Sequence, residues 1–214
     1  MKLEYVLPVD IEKRSFKIIE SELGNANLGD DIKPVVMRAI HTTADFDYLE
    51  NLYFSENAVQ TALEIIKSGA VIVTDTNMAR AGINKSALDR YGCECICYMA
   101  DADIAQAAKA DGMTRAAASV DKAAKLCKPV IYAVGNAPTA LVRICEHMEK
   151  KTFIPQFVIG APVGFVNVVQ SKELLIASGV PCIVARGRKG GSNVAAAICN
   201  ALLYMLDAEN TGNW

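Results

Sequence analysis

The chain has 214 residues, of which 52% are hydrophobic, 7% aromatic and 21% charged, with a net charge of −2 and a pI near 5.8. That composition is too apolar for a disordered chain and supplies one sizeable core, and its charge balance excludes the basic footprint of a nucleic-acid-binding domain. No run approaches the ~18 apolar residues needed to cross a bilayer, and residues 1–8 lack the apolar core of a signal peptide, so a soluble cytoplasmic protein is expected, without a membrane partner.

Val9, Ile11, Phe16, Ile18, Ile19 and Leu23 recur at helical spacing over residues 9–23, with Arg14 and Ser15 inside that helix and Gly24 as its stop. A second helical segment follows Asp30, Asp31 and Pro34, a proline suited to an early helical position where its missing N–H is not needed. Within Val35–Thr42, Arg38 and His41 are three residues apart and share a face. Asp45 and Asp47 follow directly. Histidine changes charge near neutrality, so His41 reads either as an acid/base residue or as a hydrogen-bonded histidine at a helix end.

From Ser55 onward a rhythm sets in. Ser55 is expected to cap a helix running to about Lys67, with Gly69 ending it, before a buried strand at Val71–Asp75. A helix over about 79–90, loosened by Gly82, leads to a strand at Cys95–Met99. Residues 102–127 are alanine-rich and helical, with a break at Gly112, and Val130–Val134 is the next strand. A helix from Pro138 to about Lys151, a strand at Phe157–Ile159, a helix over 171–178, a strand at Cys182–Ala185 and a helix over 191–206 complete the chain. Five short apolar strands separated by helices predict an α/β fold, with a doubly wound five-stranded parallel sheet covered on both faces. No fixed-period repeat and no linker divides the chain, so residues 1–214 are expected to form one domain.

Seven cysteines without an export signal argue against a disulfide framework. Cys93, Cys95 and Cys97 alternate along a strand; they read as small buried hydrophobes, with a three-thiolate metal site as the weaker alternative.

Ligands of open α/β sheets bind beyond the carboxyl ends of the strands, and each strand here runs into small or polar residues at that end. These are Asp75-Thr76-Asn77, Asp101, Gly135–Pro138, Gly160–Gly164 and Arg186–Ser192. The last places Arg186, Arg188 and Lys189 among three glycines at a helix N-terminus, which reads as an anion receptor or as ordinary surface solvation. It is not a Walker A loop, and no Gly-x-Gly-x-x-Gly follows the first strand, so a nucleotide cofactor is not expected. Nucleophile-elbow and His-Glu-x-x-His templates are absent. His147, among charges near a helix end, is expected to face solvent or to stabilise the helix dipole.

Five segments together resemble the precorrin-8X methylmutase family. They are residues 38–48 (Arg-Ala-Ile-His-Thr-Thr-Ala-Asp-Phe-Asp-Tyr), 75–83, 135–141, 161–167 and 187–192, in the family's order and spanning nearly the whole chain. The resemblance implies a flavodoxin-like sheet, a homodimer with sites near the subunit interface, and an isomerase of cobalamin biosynthesis. Such an enzyme moves a ring-C methyl group of a corrinoid precursor from carbon eleven to carbon twelve, turning precorrin-8X or cobalt-precorrin-8 into hydrogenobyrinate or cobyrinate. Because the shift is intramolecular, it implies no methyl donor and no organic cofactor. His41 falls at the family's proton donor/acceptor, and Ser15 and Arg38 fall at its substrate contacts. A macrocycle fringed with carboxylates would give Arg80, Arg115, Arg186, Arg188 and Lys189 a role as anion partners. The form of the segment after His41 resembles the cobalt-containing branch. A flavodoxin-like carrier of a corrinoid or flavin, and a different mutase or lyase acting on an anionic substrate, are the alternatives.

Overall fold

The computed structural model describes residues 3–24 and 26–211. A 3-10 turn at Pro8–Asp10 leads into α1 (Ile11–Leu23), followed by α2 (Lys33–Thr43), α3 (Tyr48–Asn51) and a short strand β1 (Leu52–Phe54). Then come α4 (Ala58–Lys67), β2 (Val71–Thr74), α5 (Asn77–Gly82), α6 (Lys85–Arg90) and β3 (Glu94–Ile96). The rest is α7 (Ala102–Ala110), α8 (Arg115–Ala123), β4 (Val130–Val134), α9 (Pro138–Glu149), β5 (Phe157–Gly160), α10 (Val168–Ala177), β6 (Cys182–Ala185) and α11 (Ser192–Thr211).

The sheet has six strands in the order β1-β6-β5-β4-β2-β3. Five of them, β2 to β6, run parallel, and the order among these is second-first-third-fourth-fifth. The expected five-stranded parallel sheet is therefore corrected to a mixed six-stranded one. β1 lies antiparallel to β6, with Leu52 opposite Ala185 and Phe54 opposite Ile183. Three residues are too few to show an alternating pattern, so this edge strand leaves no periodic trace in the sequence. Ser55 belongs to the same junction. Its hydroxyl accepts from the Cys182 N–H at 2.9 Å and leaves Asn57, at positive φ, at the N-terminus of α4.

Successive side chains of a strand point to opposite faces, and the two faces carry separate cores. Ile72, Ile131, Ile159 and Ile183 pack under α2, α4, α6 and α11. Val73, Tyr132, Val158 and Val184 pack under α8, α9 and α10. All eight are almost completely buried, and each aliphatic member contributes about 1.5–3 kcal/mol relative to exposure. The layer over the isoleucines holds His41, in α2.

Helix interruptions follow local chemistry. The 79–90 stretch is two helices, because Asn84 accepts from the Ala87 N–H and caps a second start. The alanine-rich stretch breaks as expected, with Gly112 at φ 63° and the Thr114 hydroxyl capping α8.

Candidate active site

α2 runs alongside α11, with α1 packed across it. Apolar residues at Val35, Val36, Ala39 and Ile40 face the core, which turns Arg38, His41 and Thr42 outward. There they line a cleft of about 250 Å³ whose other wall is Gly82 of α5 and Asn193, Ala196, Ala197, Asn200 and Tyr204 of α11. The Asn200 side chain is structural: it accepts from the Asn84 N–H and donates to the Gly82 carbonyl, both at 2.8 Å, which fixes α5 and α6 against α11.

Above the cleft, the Phe16 ring of α1 stacks on the His41 imidazole, with centroids 4.9 Å apart and planes 14° from parallel. The Arg38 guanidinium lies 4.6 Å from the Phe16 ring centre and 5.1 Å from that of Tyr204, and it pairs with Glu12. Arg38 and His41 are thus oriented by aromatic packing that the sequence reading did not include. Ser15, next to Phe16, donates its hydroxyl to the Ile11 carbonyl within α1 at 2.9 Å and does not line the cleft.

The carboxyl edge of the sheet is largely closed by its own turns. Asp75, at the end of β2 and fully buried, accepts from the Gly135 N–H at 2.7 Å, from Asn136 at 2.8 Å and from Ala137 at 2.6 Å. Burial pushes its carboxyl above the usual range, and the three N–H donors pull the other way. Thr76 and Ser192 join their hydroxyls at 2.7 Å. A Cβ on Gly135 would come within 2.6 Å of the Ser192 Cα, so only glycine permits this approach.

The basic loop after β6 connects the two regions. Lys189 donates to Asp45 at 2.6 Å and Asp47 at 2.5 Å, clasping the segment that follows the His41 helix, and its hydrogen bond holds the Asp45 carboxyl below its usual range. Arg186 is paired with Glu173 at 2.7 Å, and Arg188 lies 5.6 Å from the Phe165 ring centre. Arg80 is exposed and its Nε donates to the Cys95 carbonyl at 3.1 Å. Arg115 begins α8 in the opposite helical layer, so one chain does not bring it to the His41 cleft.

Contacts also place His147 and the cysteines. His147 does not face solvent: its Nε2 is 2.6 Å from Asp121 and its Nδ1 2.7 Å from the Thr152 hydroxyl, at the last turn of α9. Burial pushes the Cys95 thiol up to about 12 and raises Cys93 as well, and both pack against the core under α4, α6 and α11. Among the described residues no three His, Cys, Asp or Glu side chains are grouped to hold a metal ion.

The precorrin-8X methylmutase family model matches residues 10–205, which include the whole cleft. The chain belongs to that family. It is 49% identical over 173 residues to the cobalt-precorrin-8 methylmutase of Salmonella typhimurium, covering 80% of each chain. It is 40% identical to the cobalt-precorrin-8 methylmutase of Priestia megaterium, over 96% of this chain and 92% of the other. The precorrin-8X methylmutase structure from Thermus thermophilus superposes with a TM-score of 0.84 at 37% identity, covering 96% of this chain and all of that one. As a member of the family, the chain is an isomerase of cobalamin biosynthesis that shifts a methyl group within its substrate.

Thr42, Asn193 and Tyr204 line the cleft, and Phe16 covers His41 above it, without having been singled out as site residues in the sequence. A signal was present for α11: Asn193, Ala196, Ala197, Asn200 and Tyr204 form a small and polar stripe at helical spacing in an otherwise apolar helix.

Proposed function

We propose that the chain moves the ring-C methyl group of precorrin-8X or cobalt-precorrin-8 from carbon eleven to carbon twelve, with His41 as the acid/base. The observation that carries this is the placement of His41. It is the one histidine on the cleft, oriented by Phe16, beside the Arg38 cation. The curated relatives at 49% and 40% identity both bear the cobalt-precorrin-8 name, which favours the cobalt form as substrate. The order of the five parallel strands supports a flavodoxin-like sheet with an added edge strand.

An intramolecular shift needs no second substrate, so the work falls to orientation and to one proton. His41 protonates a ring nitrogen, or steadies the charge that develops as the methyl group migrates, and Arg38 contacts the macrocycle in the cleft; Ser15, outside the cleft, meets only the part of the macrocycle that extends beyond it. Carboxylates on its rim pair with Arg80, Arg186, Arg188 and Lys189; at Lys189 they compete with Asp45 and Asp47, and at Arg186 with Glu173. Arg115 joins a site only from a second copy, which supports a homodimer with sites near the subunit boundary. The protein acts in the cytoplasm, without nucleic acid or an organic cofactor.

Absorption spectroscopy of both substrate forms with wild type and His41→Ala tests this. Wild type converts at least one form to the corrin chromophore. His41→Ala retains binding and loses about 10²–10⁴-fold in kcat, the usual contribution of a positioned acid. A wild type that leaves both spectra unchanged rejects the substrate, and a variant with undiminished turnover rejects the role of His41. Ligand retention without turnover by wild type would instead favour a carrier.

A further inference from the structure

Lys172 lies inside α10 and is 0% exposed. Its Nζ donates to the carbonyls of Gly187 and Lys189, each at 2.8 Å. Those carbonyls flank Arg188, whose own carbonyl accepts from the Gly164 N–H at 3.2 Å. Three consecutive carbonyls of the basic loop therefore point into the protein and are each matched by a donor. The loop is also fixed at its far end, where the Gly191 N–H donates to the Ala161 carbonyl at 2.8 Å and a Cβ on Gly190 would lie 2.3 Å from that oxygen. With the backbone turned inward, the Arg188 and Lys189 side chains are left outside.

We infer that Lys172 is a positioning residue: by holding the Gly187 and Lys189 carbonyls it sets where Arg188 and Lys189 meet the substrate's carboxylates. Because Lys189 also clasps Asp45 and Asp47, the same ammonium fixes the basic loop relative to the end of the His41 helix. Burying an ammonium against neutral acceptors is costly, and burial lowers Lys172 to about 8. A group retained at that cost, with both bonds directed at one loop, acts on the loop rather than on the core around it. Lys172 touches no substrate itself. The inference rests on the loop being a substrate contact, as proposed above.

Lys172→Met, one atom shorter, keeps an apolar stem and removes the donors, whereas Lys172→Gln, of the same reach as Met, keeps an amide donor. Amide exchange across residues 186–191 should quicken in the order wild type, Gln, Met, while β2 and β4 remain as protected as in wild type. KM should rise on the order of tenfold for Met and less for Gln, with kcat changing by less than about threefold, since displaced binding groups act on KM when the reacting groups stay in place. Affinity for the corrin product, titrated by absorption, should fall by the same factor as KM rises. A merely structural role would lower the melting temperature and leave this split unseen. Unchanged loop exchange in both variants, or a loss confined to kcat, overturns the inference. If wild type neither converts nor binds the corrinoids, it is the proposed substrate that fails; faster loop exchange in the variants would then still show Lys172 holding the loop. Should Met fail to fold, the graded Gln variant decides.

Discussion

Replacing Asp75 by asparagine perturbs the point where β2, the turn before α9 and the start of α11 meet. One carboxylate oxygen accepts from Asn136 and Ala137 and the other from Gly135. An asparagine has one acceptor oxygen. With that oxygen toward Asn136 and Ala137, its NH₂ confronts the buried Gly135 N–H, leaving a donor unsatisfied at a cost of about 2 kcal/mol. The two remaining bonds change from charge-assisted to neutral, about 1 kcal/mol each. Relief from burying a charge returns part of that sum, for a net loss of about 2–3 kcal/mol. For a chain of this size each kcal/mol lowers Tm by about 2–4 °C, so calorimetry should record a fall of roughly 4–12 °C. The pH dependence has a definite sign. Burial raises the folded carboxyl above its unfolded value near 3.8, so across that interval the native state holds a proton that the unfolded state has released. The stability of wild type relative to Asp75→Asn therefore falls as pH rises through the interval and is flat above it. A change in Tm below about 1 °C, or a wild-type advantage that grows with pH, would refute the balance of burial against three N–H bonds.

Tyr132 is fully buried, and its hydroxyl lacks a partner among the described residues, so Tyr132→Phe should leave Tm unchanged or raise stability by about 1 kcal/mol. A loss larger than that in urea unfolding would reveal a bond to the hydroxyl. Lys172, at about 8 in the folded state against an ordinary 10.5, is protonated in the unfolded chain and neutral in the native one between those values. Wild type should gain about 3 kcal/mol relative to Lys172→Met as pH rises from about 8 to 10.5, followed by urea midpoints; a flat difference would mean the amine is hydrated. Lys189→Ala removes two exposed ion pairs and should leave Tm nearly unchanged, yet raise KM and flatten its salt dependence. An unaffected KM would remove Lys189 from the substrate contacts.

What could be read in the sequence was local. The five parallel strands, the break at Gly112 and the shared face of Arg38 and His41 all follow from residue spacing, glycine conformation or apolar periodicity. The second helix start at Asn84 was also local, an Asx cap that a continuous helical pattern obscured. Pairings between distant segments were not readable. β1 exists because Leu52–Phe54 meets β6, and the Phe16 stack on His41 depends on how α1 crosses α2. The acidic partners of Arg186 and Lys189 were out of reach for the same reason, lying 13 and more than 140 residues away. Lys172 carried no signal of its own in the sequence, because the loop carbonyls it holds lie 15 and 17 residues further on.

The size of the cleft bears on how such an enzyme must be assembled. About 250 Å³ is below the ~300–1,000 Å³ of sites that enclose a drug-sized ligand, and a tetrapyrrole-derived macrocycle is larger still. Only one edge of the substrate fits between α2, α5 and α11. A methyl shift between adjacent carbons needs only that edge to meet His41, provided the remaining rings cannot tilt. Within one chain the rim charges would have to supply that restraint, and two of them, Arg186 and Lys189, are already paired. Arg115 is held away on the opposite layer. On the proposal that Arg115 meets the macrocycle, it would do so from a second copy placed over the exposed part, adding both enclosure and charge.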